Sequence, residues 1–287
     1  MRVTLVRSAT EAEGAFAAIE RLFHSTFGYR PDKIAWSRFY FVNPYGDAIV
    51  ALGWNGDQLV GHHALVPHIL TDGSGKVYRY HLAMSLMVHP DYRGFPAFHR
   101  LVSATTEAAR AEGTPFILGF PNKNSHALFQ RAFGWKTLIE TELYNWRPAT
   151  PTGSPHSIVA LPYLRLTDEA GPPCDATYRQ WRSLACPYYA ELVNGRLAVI
   201  YKIERDDTLT VLDILTACPE ESANDLGMLL TYTGMRQVRL TGVHARMIGL
   251  NPAMMERHTD YRLRMCSAPL RDHPPPMHFS LLLSDVF

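Results

Sequence analysis

The sequence is poor in the features that would assign it to several function classes at once. It has four cysteines in 287 residues, Cys174, Cys186, Cys218 and Cys266, all in the second half and none in a C-x-x-C pair. Neither a zinc site nor a disulfide framework follows from that spacing. The thirteen histidines never fall four apart beside an acidic residue, so no metal is expected. A G-x-S-x-G elbow and a Walker loop are both missing, which leaves hydrolase and kinase readings without an anchor. The formal net charge of +1 gives no general attraction for nucleic acid or an acidic membrane. No apolar run has the length of a membrane span, and the opening MRVTLVRSAT has no signal-peptide core, so the cytoplasm is the expected location.

What remains is an ordinary globular composition, 47% hydrophobic and 19% charged, with room for one large or two modest domains. The most informative stretch is residues 86–98, LMVHPDYRGFPAF. It reads as the end of a strand, a tight arginine–glycine turn and the start of a helix running to about residue 112. The first N–H groups of a helix lack intrahelical partners and sit at the positive end of its dipole, so such a turn suits a phosphate. Gly94 allows close backbone approach or a positive φ, and Pro96 suits the first helical position.

The flanks sharpen this reading. An amphipathic helix over residues 97–112 is followed by a buried strand PFILGF at 115–120 and a polar turn PNKNS at 121–125. A short helix through Phe133 and the pair Gly134-Trp135 lead into a last strand over 135–146. In this order of elements, residues 1–147 resemble the GNAT superfamily of acyl-CoA N-acyltransferases. The resemblance implies that acyl-CoA, acetyl-CoA or a longer one, is the co-substrate, and that its diphosphate lies on the turn Arg93, Gly94, Phe95, Pro96, Ala97 and Phe98. It also implies that Leu86, Met87 and Val88 offer a backbone edge to the pantetheine arm, as a strand-like ligand adds to a sheet. Asn122, Asn124 and Ser125 are expected near that arm or the phosphates, with Lys123 neutralising charge; Asn124 or Ser125 alone also reads as a helix N-cap.

The chain departs from the family pattern in three places. Pro96 and Phe98 stand where small residues are usual, and Pro96 removes one N–H donor. Gln130 stands four residues before Gly134, where many members carry a tyrosine near the departing thiol, so that general acid is not carried over.

Ahead of the central turn, residues 2–7 alternate as a strand, and residues 11–27 pattern as a helix with Phe16, Ile19, Leu22 and Phe23 on one face, ended by Gly28. Pro31 opens another helix carrying Trp36, Phe39, Tyr40 and Phe41, which are either core or, by the resemblance, a wall of the acceptor cleft. Strands over 49–54 and 58–70 are joined by Asn55-Gly56, a hairpin turn, and residues 77–88 complete an antiparallel meander. The Pro/Gly/Ser/Thr-rich segment after Arg147 marks a linker over 148–173.

Residues 174–287 then read as helix (175–192), strand (197–204), strand (208–216), helix (220–235) and strand (237–243). Residues 261–266 and 277–283 read as strands returning to the body. This order partly echoes the first half, with Glu220 and Glu221 replacing the arginine–glycine turn. The expected fold class is therefore α/β (α+β): a GNAT-like mixed, mostly antiparallel sheet flanked by helices, followed by a smaller degenerate GNAT-like half without its own CoA.

The implied chemistry is acyl transfer to a small-molecule amine, which must lose a proton to attack. Candidates on the sequence are His81 and Ser85, two strand positions on one face by the two-residue period, with His62 and His63 on the neighbouring strand. Glu140, Glu142 and Tyr144 lie on the closing strand, Tyr144 as a donor to the leaving thiolate, and Ser284 and Asp285 form either a C-terminal flap or a frayed end. The acceptor is expected to be an amino sugar on a nucleotide, by similarity to two-part bacterial enzymes. The alternatives are an amino acid or peptide acylated from acyl-carrier protein, and a non-catalytic GNAT-like binding module. A homodimer is possible.

Overall fold

Alternation and turn chemistry set the first sheet strands. In the computed structural model, which describes residues 1–148, 153–161, 169–173, 176–183, 187–204 and 206–281, the chain opens with β1 (Arg2–Val6). Ser8 then caps α1 (Ala9–Glu13), its Oγ accepting the Glu11 N–H at 3.2 Å while Glu11 accepts the Arg7 N–H at 2.7 Å. The single helix expected over 11–27 is broken at Gly14-Ala15, and α2 (Phe16–Phe27) carries the apolar face. It ends at Gly28, whose φ of 80° lies in the left-handed region that favours glycine. Asp32 caps α3 (Lys33–Phe41), accepting the Ala35 N–H at 2.8 Å.

The meander forms as its turn residues dictate, with β2 (Ile49–Asn55), β3 (Gln58–Thr71) and β4 (Val77–Val88) paired antiparallel. Next come α4 (Phe95–Ala111), β5 (Phe116–Gly119), α5 (His126–Phe133) and β6 (Lys136–Trp146). Within the segment expected as a linker lies β7 (Ile158–Ala160), and beyond it come α6 (Ala176–Ser183), β8 (Tyr189–Val193), β9 (Leu197–Glu204) and β10 (Thr208–Thr216). Then α7 (Pro219–Thr233), β11 (Gln237–Thr241), α8 (Gly242–Met247) and β12 (Glu256–Pro269) complete the order. The helix expected over 175–192 is shorter, because Tyr189 onward pairs with β9. Residues 162–168 and the tail from 282, with Ser284 and Asp285, lie outside the described residues.

The twelve strands of the described residues make one sheet in the order β1-β2-β3-β4-β5-β12-β6-β11-β10-β9-β8-β7. It is mostly antiparallel; the parallel pairs are β4 with β5 and β10 with β11. The fold class read from the sequence is therefore the observed one. The two halves interlock at the middle: β12 from the second half pairs with β5, β6 from the first pairs with β11, and β6 and β12 pair with each other. Burial follows this exchange. Phe98, Val102, Ile117, Phe129 and Trp135 of the first half share one apolar cluster with Cys266 and Ala268 of β12. On the opposite face, Phe39, Tyr80, Trp181, Phe279 and Leu281 join in a second cluster.

Among the described residues no helix is long and apolar enough to cross a membrane, and no group of His, Cys, Asp or Glu is placed to hold a metal ion.

Candidate active site

Two parallel strands that pair over a short length and then part leave a gap between them. Here β4 and β5 pair only through His81↔Ile117, Leu82↔Leu118 and Ala83↔Gly119. Beyond Ala83 the β5-facing edge of β4 has no strand neighbour among the described residues, so its backbone from Met84 to Val88 is an open edge. Gly119 stands where the strands part for a steric reason: a Cβ there would lie 2.9 Å from Trp135 Cζ3 and 3.3 Å from Ala83 Cβ.

The gap widens into a cavity of about 680 Å3, within the usual range for small-molecule sites. From β4 and β5 it is lined by Met84, Ser85, Leu86 and Phe120, and from the turn after β5 by Asn122 and Ser125. The facing wall is aromatic, with Phe23, Phe27, Tyr29, Trp36, Phe39 and Tyr40 from the first helices. Asp32 and the second half's Arg182 are the charged groups on it. At the rim Phe27 and Tyr29 stack at 6.3 Å with their planes 17° apart, both about half exposed.

Ser85 occupies the bend of β4. The pairing of β3 with β4 slips between His62 and Ala64, so that three steps of β4 oppose two of β3, and Ser85 takes φ 48°. A bulge of this kind kinks the strand and re-aims its groups. A left-handed serine costs of order 1–3 kcal/mol and needs outside support. That support comes from two contacts. The Ser85 carbonyl accepts the Nδ1–H of His62 at 2.8 Å, and the Ser85 hydroxyl lies 2.8 Å from the Tyr40 hydroxyl.

The two neighbouring histidines are held neutral. Burial pulls His62 down to about 4, the bond to Ser85 opposing it. Burial also pulls His63 to about 3, with His62 beside it adding to the effect. The tautomer of His63 follows from its partner: Thr105 Oγ1 donates to the carbonyls of Leu101 and Val102, so it accepts from His63 Nδ1 at 2.8 Å. His63 Nε2 is then a bare acceptor without a partner, on a residue that lines the cavity.

The residues singled out on the sequence separate into three groups. Ser85, Leu86, Asn122 and Ser125 line the cavity. Arg93, Gly94, Phe95 and Pro96 form an exposed turn at the N-terminus of α4, past the cavity, with Arg93 Nε donating to Val88 O at 3.4 Å. Gly94 is extended, at φ 163°, and Pro96 sits at the second helical position. Of the first-turn groups, Phe95 and Ala97 retain an N–H and Pro96 has none. Phe98 is buried against Phe129 and Phe133, and its N–H bonds the Gly94 carbonyl, so its side chain is core. Met87 is likewise buried, and Val88 half-buried.

Asn122 caps α5 locally, its Oδ1 accepting the Asn124 and Ser125 N–H groups at 3.0 and 3.1 Å; Asn124 is exposed. The third group lies off the cavity. His81 sits in a different hollow, bonded to Thr114 Oγ1 at 2.9 Å, because the bulge interrupts the two-residue period that related it to Ser85. Glu142 pairs with Arg262 and Arg257, and Tyr144 lies beside Gly242; β12 stands between their strand and β5. Tyr40, His63, Asp32 and Arg182 complete the site. Tyr40 and His63 were visible on the sequence only as part of an aromatic helix and a neighbouring strand.

The site fits a CoA thioester. It offers an open strand edge of extended residues, a cavity where that edge ends, and an exposed helix N-terminus beyond, with one N–H fewer than a glycine-rich turn would give. The model of the acetyltransferase (GNAT) domain family matches residues 6–138. No curated protein sequence matches the chain.

Among solved structures, the chain is similar to a GCN5-related N-acetyltransferase from Kribbella flavida, at 16% identity and a TM-score of 0.64, over 94% of this chain and 72% of that one. It is also similar to a GCN5-related N-acetyltransferase from Anabaena variabilis, at 13% identity and a TM-score of 0.62, over 94% and 73%. A tandem GNAT protein from the clavulanic acid biosynthesis pathway is similar at 13% identity and a TM-score of 0.58, over 95% of this chain and 100% of that one. Residues 6–138 thus match the acetyltransferase (GNAT) domain family, and the chain as a whole has the fold of the GCN5-related and tandem GNAT proteins.

Proposed function

We propose that the chain moves an acyl group from acyl-CoA to the primary amine of a small molecule held against the aromatic wall. The observation that carries this reading is the parting of β4 from β5 at Ala83 and Gly119, which opens directly into the cavity beside the Ser85 bulge.

The thioester, when bound, supplies the activated acyl carbon. The edge of β4 from Met84 to Val88 holds the donor arm by backbone pairing, and the N–H groups of Phe95 and Ala97, with Arg93, meet the diphosphate. The bulge presents a backbone N–H to the charge that develops on the carbonyl oxygen. The amine attacks only when neutral. His63 Nε2 is the orphan acceptor on the wall, and the Tyr40–Ser85 hydroxyl pair is the nearest hydrogen-bonded relay, with Tyr40 placed to return a proton to the leaving thiolate.

The wall bears on the acceptor. Six aromatic side chains and few polar ones suit an amine with an apolar or aromatic body. An amino sugar on a nucleotide, the acceptor suggested by similarity on the sequence, would stack its ring on Phe27 and Tyr29 and take its hydroxyl contacts from Asp32, Asn122 and Tyr29. A thiol-release assay with acetyl-CoA and longer acyl-CoAs, run over aromatic amines, amino acids and amino sugars, separates these acceptors. Turnover of aromatic amines above amino sugars supports the apolar reading. No acyl-CoA binding by calorimetry overturns the donor assignment and points to a carrier-protein donor or a binding module.

A further inference from the structure

A second hollow lies at the far end of β4. It encloses about 460 Å3 between the loop after α3, the start of β5 and β4 residues 79–81, four residues or about 13 Å along the strand from Ser85. Two unlike charges stand on it. Arg79 and Asp47 both line the hollow, both are exposed, and neither has a hydrogen-bond or ion-pair partner among the described residues. Both stand on the hollow, and they do not pair with each other. The other two charges on its wall, Arg7 and Glu112, neutralise one another in an ion pair.

The floor is polar and uncharged. His81 and His68 are more than nine-tenths buried, and His81 Nε2 and both ring nitrogens of His68 have no partner. Burial, with Arg7 nearby, pulls His81 to about 4, so it is neutral at physiological pH. A buried polar atom left unpaired costs about 1–3 kcal/mol, which a ligand bonded there would recover.

We propose that this hollow binds a small zwitterion of the amino-acid class, its carboxylate on Arg79, its ammonium on Asp47 and its polar remainder facing His81 Nε2. The charge pattern selects the class. A simple anion would be held by Arg79 but would face Asp47, a simple cation would meet the reverse, and an uncharged ligand would leave both charges unpaired. The site is separate from the acyl-transfer cavity, and its ligand need not be the acceptor.

The test is calorimetry on the full chain, without acyl donor and at low ionic strength. Glycine, β-alanine and γ-aminobutyrate step the distance between the two charges, and propionate and propylamine carry one charge each. Saturable binding of a zwitterion, about tenfold tighter than either single-charge control, is the expected result. Arg79→Ala and Asp47→Asn should each weaken it about tenfold while the circular dichroism spectrum and melting temperature hold. A crystal soaked with the tightest binder should show it between Arg79 and Asp47. The proposal fails if no zwitterion binds saturably, if the single-charge controls bind equally well, if both substitutions leave binding unchanged, or if the ligand lies in the acyl-transfer cavity or only water fills the hollow. None of these outcomes touches the acyl-transfer reading, whose readout is thiol release from acyl-CoA.

Discussion

Ser85 and Tyr40 are the pair of side chains on which turnover is expected to depend most. Their hydroxyls lie 2.8 Å apart where β4 bulges into the cavity, and no residue of the sequence pattern joins them, since they are 45 positions apart. Tyr40→Phe keeps the ring in its stack on Trp36, at 4.7 Å, and removes only the hydroxyl. It should lower kcat/KM about 10- to 100-fold, with stability changed by no more than about 1 kcal/mol. Steady-state kinetics beside urea unfolding checks this, and unchanged turnover would remove Tyr40 from the chemistry. Gly119→Ala acts differently. Its new Cβ meets the buried Trp135 ring at 2.9 Å, so the variant should lose about 1–3 kcal/mol in denaturant unfolding and shift the strands where they part. An unchanged unfolding midpoint would show that the ring yields freely.

At the scale of elements, β3 and β4 carry histidines where most sheets carry aliphatic residues. Burial holds the folded-state pKa of His62 near 4 and of His63 near 3, below the usual histidine value of about 6.5. The unfolded chain therefore binds more protons between about pH 6.5 and 4, and stability falls as pH drops through that window. His278 works in the opposite sense. Although burial opposes it, the bond to Asp213 at 2.7 Å raises its pKa, so its contribution is full below about pH 6.5 and fades as pH rises through the folded value. With buried neutral histidines in the majority, the melting temperature should decline on acidification from pH 7 to 5. His62→Asn, which keeps an N–H for the Ser85 carbonyl, should show a shallower decline; an identical slope would mean that His62 does not drive it.

The elements also show what local pattern can carry. The Asn55-Gly56 hairpin, the α4 turn and the strand–helix order of the first half were legible because each depends on residues a few positions apart, whereas β7, β8 and α8 of the second half were not expected and residues 277–281, read as a strand, make only an isolated bridge at Met277. The break at Gly14-Ala15 is local, Gly14 capping α1, whereas the early end of α6 came from strand pairing that overrides periodicity. His81 and Ser85 diverged because one extra residue in a bulge ends the two-residue alternation, and the amino-acid sequence of LAMSLMV does not announce a bulge.

For the whole molecule, the exchange of β6 and β12 is the feature least visible in sequence, since a strand pairing across about 150 residues, as β12 does with β5, leaves no local trace. It makes the halves interdependent. A chain ending at residue 147 would lack β12, and with it Cys266 and Ala268 from the cluster around Phe129 and Trp135. Such a fragment should show no cooperative unfolding transition by calorimetry, whereas a sharp transition would establish residues 1–147 as a self-sufficient domain. Arg182 of α6, from the second half, also lines the cavity of the first.

The account rests on the donor lying along the open edge of β4, with its diphosphate on the turn into α4. Amide hydrogen exchange of the full chain with and without acetyl-CoA reads this directly. Slowed exchange confined to residues 84–88 and 93–98 is the predicted result. Protection in the second half alone, or none at saturating acetyl-CoA, would contradict it.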